Sequence, residues 1–429
     1  MTLCTRSLIS FWCGFLLFSS IFAFKLPYIG NSSHWSFLLI VFSLLLIGGS
    51  FSFLKILIKH KIFYAPLVVL TFAIIATLFI SVFLQTYDIT MLKTWVNNLF
   101  AYIAMSVLAC VYVSSKNSYK AIFKLVFIIF IVQAVIVWLM MVIPPLRDVI
   151  QALTKDAATM ARMEEYGGAR GGGLTSFAAF GFSTVMGLLA LFMNFYFAEF
   201  QRKKSLIIKL FISFIVLIAA ISAGRSSIAG FGLGIVFYYF SLGIRLFFVG
   251  SFKVLIISVM LLTPIIIYIL SVPALTEVIT SYYQYAFQFI YKYFIDGYVG
   301  HSSLNTLQTM YFPLTESQIL WGDGMYTGND GAYYLHTDPG FMRFILMLGL
   351  LPSVIIYFGF FWVIFNYYMI NKSKVNNVGV LSLTVTILAL VFHYKGEVIM
   401  YNVSFMKLIY FIFISMTLVT FNKKFNIHK

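Results

Sequence analysis

The chain has 429 residues, of which 62% are hydrophobic and 10% charged, and its mean hydropathy is +0.97. Soluble domains carry about 45–50% apolar and about 25% charged residues, so this composition excludes a soluble enzyme, a disordered chain and a disulfide scaffold. A net charge of +16 would suit a nucleic-acid binder, but that reading needs basic clusters on a polar domain, and the sequence has none.

A membrane-crossing helix needs about 20 mostly apolar residues. By that ruler the sequence predicts twelve spans, with cores at 8–24, 36–54, 63–84, 96–113, 123–143, 175–198, 206–223, 227–244, 253–272, 343–368, 377–393 and 403–421. The first follows Arg6 and leads at once into further apolar runs, so it is read as an uncleaved helix rather than a signal peptide. The pair around Gly224–Arg225 is alternatively a re-entrant element, and 377–393 is short. With the N-terminus in the cytoplasm and strict alternation, 18 of the 29 basic residues fall on the cytoplasmic side, with Glu199 as the only acid there. That asymmetry is the positive-inside signature and accounts for the net charge. Cys4, Cys13 and Cys110 form no CxxC or Cys/His pattern, so no zinc site or disulfide framework is expected.

Two loops are long, at about 145–173 and about 273–342, and both face outward in this topology. Together they hold ten of the thirteen acids. Long structured loops at the mouth of a bundle are where function tends to sit. No repeat of solenoid length and no inverted pair of broken helices is evident, which weakens a transporter reading.

Four features could carry chemistry. The first outward loop ends in Ala161-Arg-Met-Glu-Glu-Tyr-Gly-Gly-Ala-Arg-Gly-Gly-Gly173. Glycines let backbone N–H groups approach an anion, and Arg162 and Arg170 offer guanidinium forks to phosphate oxygens. A hinge with solvated arginines is the plain alternative. GxxxxGK[ST] is absent, so this is no nucleotide-hydrolysing loop. The second is Ser222-Ala-Gly-Arg225-Ser-Ser, which places a cation at the outer interface. Arg225 either binds a phosphate or snorkels to water. The third is Tyr333-Tyr-Leu-His336-Thr-Asp338-Pro-Gly-Phe-Met-Arg343. His336 can act as a general base with Asp338 to orient it, and Arg343 can offset charge on a leaving phosphate. Asp338 can equally cap a helix that has Pro339 in its first turn. The fourth is His393-Tyr-Lys395-Gly-Glu397, where Lys395 and Glu397 either bind substrate or pair with each other.

Nine aromatics fall within Tyr282–Tyr298. They suit a headgroup-level anchor better than a sugar platform. No outward loop carries DxD, and HExxH, CxxC and GxSxG are all missing, so no metal and no cofactor is expected.

The layout resembles the bacterial O-antigen polymerases (Wzy type), which form one broad superfamily with the O-antigen ligases. The features that carry the resemblance are about a dozen spans, the Gly/Arg-rich outward loop, the Ser-Ala-Gly-Arg-Ser-Ser turn and a large loop ending in His-Thr-Asp-Pro-Gly-Phe-Met-Arg. The local pattern covers only about 160–230 and 320–350. Gly173 follows Arg162 by eleven positions, a spacing found in the family's arginine-containing loops. Arg170 and Gly181 share it, whereas the position eleven after Arg343 is Val354.

The resemblance implies an all-α polytopic protein of the bacterial inner membrane, a GT-C-like bundle with both termini cytoplasmic and two long periplasmic loops. It implies a glycosyltransferase of lipopolysaccharide biosynthesis, metal-independent and inverting. The growing glycan on undecaprenyl pyrophosphate passes to a lipid-linked repeat unit. His336, Arg225 and Arg343 are then the catalytic candidates. Arg162, Arg170, Asp338, Lys395 and Glu397 are the substrate-binding ones. Membrane lipid, a chain-length regulator and a flippase become candidate partners; nucleic acid does not. An O-antigen ligase, with lipid A–core as acceptor, is the nearest rival. A lipid-linked-oligosaccharide flippase is a non-enzyme rival, disfavoured because the central spans carry few charges and one outward loop runs to about 70 residues.

Overall fold

The computed structural model describes residues 3–155, 160, 172–177, 179–201, 205–242, scattered positions between 249 and 271, 302–328 and 330–425. It is almost entirely helical. Among the described residues the only sheet is a short antiparallel hairpin, β1 (Lys25–Leu26) with β2 (Gly30–Asn31), in which Lys25 faces Asn31. Eight described helices are long and apolar enough to cross a membrane, or nine if one bent pair is a single span. The expected span at 253–272 and the aromatic stretch Tyr282–Tyr298 lie almost wholly or wholly outside the described residues.

The chain divides into two compact units. The first comprises Met1–Ile21, Ser32–Leu125 and Asn305–Lys429. Its helices are α1 (Leu3–Phe22), α2 (Ser32–Leu46), α3 (Ser50–Lys59), α4 (Tyr64–Phe83) and α5 (Thr90–Ser115), followed later in the chain by α11 to α16. Those are α11 (Ser302–Thr309), α12 (Glu316–Trp321), α13 (Gly340–Leu348), α14 (Leu350–Asn371), α15 (Val378–Lys395) and α16 (Val403–Phe425). The axis of this unit is α16 packed along α5. Trp95, Tyr102, Tyr112 and Tyr410 are fully or almost fully buried there. Such near-continuous apolarity on all sides is what a helix enclosed by other helices requires.

Two predicted spans are not straight helices. The run 36–54 breaks into α2 and α3, which meet at 107°. Gly48 and Gly49 make the break, and Gly49 adopts φ +89°, a left-handed conformation that glycine reaches at little cost. Beyond it, α3 turns Ser50, Phe53 and Leu57 inward and leaves Lys55 and Lys59 exposed. The run 343–368 divides at Gly349 (φ +76°), so Arg343 rides on the separate short helix α13 rather than on α14. A Cβ at Gly349 would stand 2.5 Å from the Leu320 carbonyl oxygen, so the elbow is closed by glycine alone.

Lys407 is buried on α16. Its Nζ donates to the Ser20 carbonyl (2.8 Å) and to Ser33 Oγ (2.6 Å). These bonds tie the end of α1 to the start of α2, and they satisfy part of the cation's demand for acceptors away from water.

The second unit comprises Phe22–Asn31 and Val126–Leu304. It holds most of α6 (Tyr119–Val142), then α7 (Pro144–Thr154), α8 (Ala179–Phe200), α9 (Leu206–Ala223) and α10 (Ser227–Leu242). Helix α8 packs on both α9 and α10. Gly230 and Gly234, one turn apart on α10, form the small-residue contact that lets two helix backbones touch. A Cβ on Gly230 would collide with the Gly187 carbonyl of α8, and one on Gly234 would lie 2.8 Å from Asn194 Nδ2. Backbone cannot yield as a flexible side chain can. Gly230→Ala should therefore lower stability by about 1–3 kcal/mol, read as a fall in melting temperature in detergent. Ala at Gly232, which meets nothing, is the control.

Candidate functional site

In the first unit the site is built at the N-terminal end of α13. This helix begins at Gly340, with Pro339 as its cap residue and no side-chain cap. Pro339, not Asp338, therefore stands at the cap position, one residue after the one expected to fill it. Three residues into α13, Arg343 points into the protein and is 3% exposed. It forms an ion pair with Glu397, from the loop after α15. Its guanidinium carbon sits over two tyrosine rings, 3.7 Å from the centroid of Tyr326 and 3.5 Å from that of Tyr333. Tyr326 also donates its hydroxyl to Glu397 Oε1 (2.8 Å). The cation thus exchanges water for a carboxylate and two π-faces.

Burial pushes the Glu397 carboxyl up; Arg343 and the Tyr326 hydroxyl draw it back without cancelling the rise. Burial and the nearby Glu397 charge push the Tyr326 phenol well above its ordinary value. Burial works against the Arg343 charge as well, but Glu397 and the surrounding tyrosines outweigh it and hold the guanidinium protonated.

The loop bearing Glu397 is fixed by a buried histidine. His393 Nδ1 accepts from the backbone N–H groups of Val398 (3.0 Å) and Ile399 (3.2 Å), and its Nε2 lies 3.1 Å from the Tyr357 hydroxyl. Two donors on Nδ1 place the ring proton on Nε2. Asn98 of α5 secures the next turn, donating to the carbonyls of Met400 and Tyr401.

The other side of the site is held by Asp88, in the short loop between α4 and α5. Its Oδ2 accepts from the N–H groups of Tyr326 and Thr327, both at 2.8 Å, and its Oδ1 from Thr90 N–H at 2.9 Å. Burial tends to raise this carboxyl, but the backbone donors of Thr90, Thr327 and Tyr326 prevail and hold it below its ordinary value. A depressed carboxylate stabilises the fold above its unfolded pKa, and the contribution is lost as pH falls through the folded one. Asp88→Asn should weaken this anchor by about 1–2 kcal/mol. Amide exchange at Tyr326 and Thr327 would report it. Their protection should collapse below about pH 4 in the wild type and stay flat across that range in the variant.

His336 stands at the exposed edge of the cluster. It ends a single 3₁₀ turn in which Leu335 (φ 52°) and His336 (φ 50°) are both left-handed. Such backbone is costly for residues with side chains and gathers at functional sites. The turn swings the imidazole back toward Asp330, whose Oδ2 is 3.5 Å from Nε2. The carboxylate beside His336 is therefore Asp330, not the expected Asp338. Asp338 is exposed, and its charge is near enough to raise the Glu397 carboxyl further. Glu397 has Arg343 as its ion-pair partner, and Lys395 is half-buried at the end of α15.

In the second unit Arg225 is half-buried in the turn between α9 and α10. Arg162 and Arg170 lie outside the described residues. Two of the sequence motifs nevertheless meet here. Ser222 Oγ lies 3.4 Å from where a Cβ on Gly172 would be, so the end of the Gly-rich loop touches the Ser-Ala-Gly-Arg turn. Gly173 (φ +128°) rests on Gln133 of α6, a fully buried side chain with neither end of its amide hydrogen-bonded.

Sequence reasoning missed Asp88, Tyr326, Tyr333, Asp330 and Gln133. Asp88 left a signal, as an isolated acid in a short outward loop, and Tyr333 stands at the head of the motif that ends in Arg343; Tyr326 left none among the 27 tyrosines. Among the described residues no three His, Cys, Asp or Glu side chains converge as a metal site would need. No protein-family model matches the chain, and no curated protein matches it.

Proposed function

We propose that this chain is a membrane-embedded glycan polymerase of the O-antigen type, working on the outer face of the bacterial inner membrane. In this reading both termini are cytoplasmic and the loop carrying His336 is periplasmic. The observation that supports it best is His336 itself. It is an exposed imidazole on strained backbone, with a carboxylate beside it, mounted on a cluster braced by a buried ion pair. General-base catalysis needs that combination of access and rigidity.

The chemistry is a displacement at the anomeric carbon of a glycan on undecaprenyl pyrophosphate. The acceptor hydroxyl oxygen of a lipid-linked repeat unit forms the new C–O bond, and its proton passes to His336. The bond from the anomeric carbon to pyrophosphate breaks, and its electron pair leaves with the lipid pyrophosphate. The configuration inverts. Asp330 orients the imidazole and steadies its positive charge. Arg162, Arg170 and Arg225 keep the pyrophosphate-binding role that the sequence suggests for them, since cations there would offset the developing charge. Arg343 acts as a positioning residue, holding Tyr326 and Tyr333 behind the His336 turn.

A lipopolysaccharide gel of the deletion strain, with and without the gene restored, tests this directly. Loss of the ladder with one repeat left on the core supports a polymerase. Loss of every repeat overturns it, and lipid-linked polymer accumulating in the membrane then identifies a ligase.

A further inference from the structure

We propose that the outer face of Tyr333 is the platform on which a pyranose ring of the substrate docks. The proposal rests on the glycan-transfer reading above and names a binding residue for it. One face of this ring is occupied, because the Arg343 guanidinium carbon lies 3.5 Å from its centroid. Yet Tyr333 is 47% exposed, whereas Arg343 is buried. Arg343 covers one face and the Tyr326 ring meets Tyr333 in a T-shaped contact at 6.2 Å, so we take the exposed surface of Tyr333 to be the face turned away from Arg343.

That ring cannot easily turn. Arg343 is fixed by Glu397 and by the Tyr326 ring. The Tyr333 backbone pairs with Thr327, which is itself held by Asp88, and its carbonyl accepts from His336 N–H at 2.8 Å. A large aromatic surface is thus held rigid and open to solvent. Ordering it in advance removes the entropy that binding would otherwise lose.

The chemistry of the surface selects its partner. An aromatic face attracts cations through its quadrupole, but a cation already lies on the far side of this ring, so a second one is disfavoured. A neutral ring with an apolar face of C–H groups has no such conflict. Pyranose sugars present that face on one side and hydroxyls at the rim. Tyr333 and His336 belong to one tight turn, so a sugar stacked on Tyr333 lies next to the proposed base.

The test uses the full chain in phospholipid nanodiscs, free of sugar-based detergent. Tyr333→Trp replaces the ring with a fluorescent one, read as the difference from wild type. The probes are the methyl pyranosides of glucose, galactose and N-acetylglucosamine, with acyclic sorbitol as the control polyol. A saturable emission shift with at least one pyranoside and none with sorbitol is the expected result. No saturable shift with any of the three pyranosides, or an equal shift with sorbitol, overturns the platform. In parallel, Tyr333→Leu should shorten the polymer ladder several-fold, with Tyr333→Phe, which keeps the ring, staying longer than Tyr333→Leu. Equal ladders in Tyr333→Leu and wild type also overturn it. A saturable shift in a protein whose gene does not restore the ladder would sink the polymerase reading and leave the platform standing.

Discussion

Arg343→Ala should lower stability by about 3–5 kcal/mol, the usual consequence of stripping one partner from a buried ion pair. Most of that cost is what remains behind. Glu397 is left with an 11% exposed side chain and no counter-charge, and the Tyr326 and Tyr333 rings lose the cation that lies against both. The double variant Arg343→Met, Glu397→Leu should regain most of the lost stability, because it removes both charges and fills similar space. On the proposed function, polymer synthesis should stay lost in both variants, since neither holds the Tyr333 and His336 turn in place. Melting in detergent separates the two outcomes from the ladder gel. If Arg343→Ala melts like wild type, the ion pair is not the brace described here.

On the proposed mechanism His336→Ala should show the reverse, with activity down about 10²–10⁴-fold, the range for losing a general base, and the melting point kept. The side chain is exposed, and the contact it makes with Asp330 is itself at the surface. His336→Gly sharpens the test. Glycine reaches at little cost the left-handed conformation that His336 adopts, so relief of strain should offset the greater freedom of the unfolded chain. A variant at least as stable as wild type yet without polymer would separate catalysis from folding. Normal chain length in either variant would remove His336 from the mechanism.

The apolar runs were readable because helix length and burial follow directly from composition. Where the structure departs from straight spans, glycine is the reason. Gly48–Gly49 and Gly349 sit inside apolar stretches, and hydropathy averages over them, although each breaks the helix locally. The site was half readable. His336, Arg343 and Glu397 stand out as ionisable residues at the ends of apolar segments. Their pairing does not, because Arg343 is on α13 and Glu397 in the loop after α15, 54 residues on, and no sequence spacing announces such a contact. Lys395 was the nearer charge in sequence, but Glu397 lies beyond the helix end, on the turn that His393 holds. Asp338 was the nearer acid to His336, but two left-handed residues reverse the chain toward Asp330. Backbone of that kind is dictated by tertiary anchors such as Asp88, not by local propensity.

The bend between α2 and α3 also bears on the lipid around the protein. Fifteen residues of α2 rise about 22 Å at 1.5 Å per residue, while the hydrocarbon layer is about 30 Å thick. The flank of the protein at α2 thus offers lipid tails a shorter wall than α4 or α5 does. Bilayers meet such a wall by thinning or by shortening their chains locally, at a small elastic cost for each ångström of mismatch. The glycine pair that breaks this helix should therefore thin the membrane next to the protein, an effect expected to grow with the acyl-chain length of the surrounding lipid.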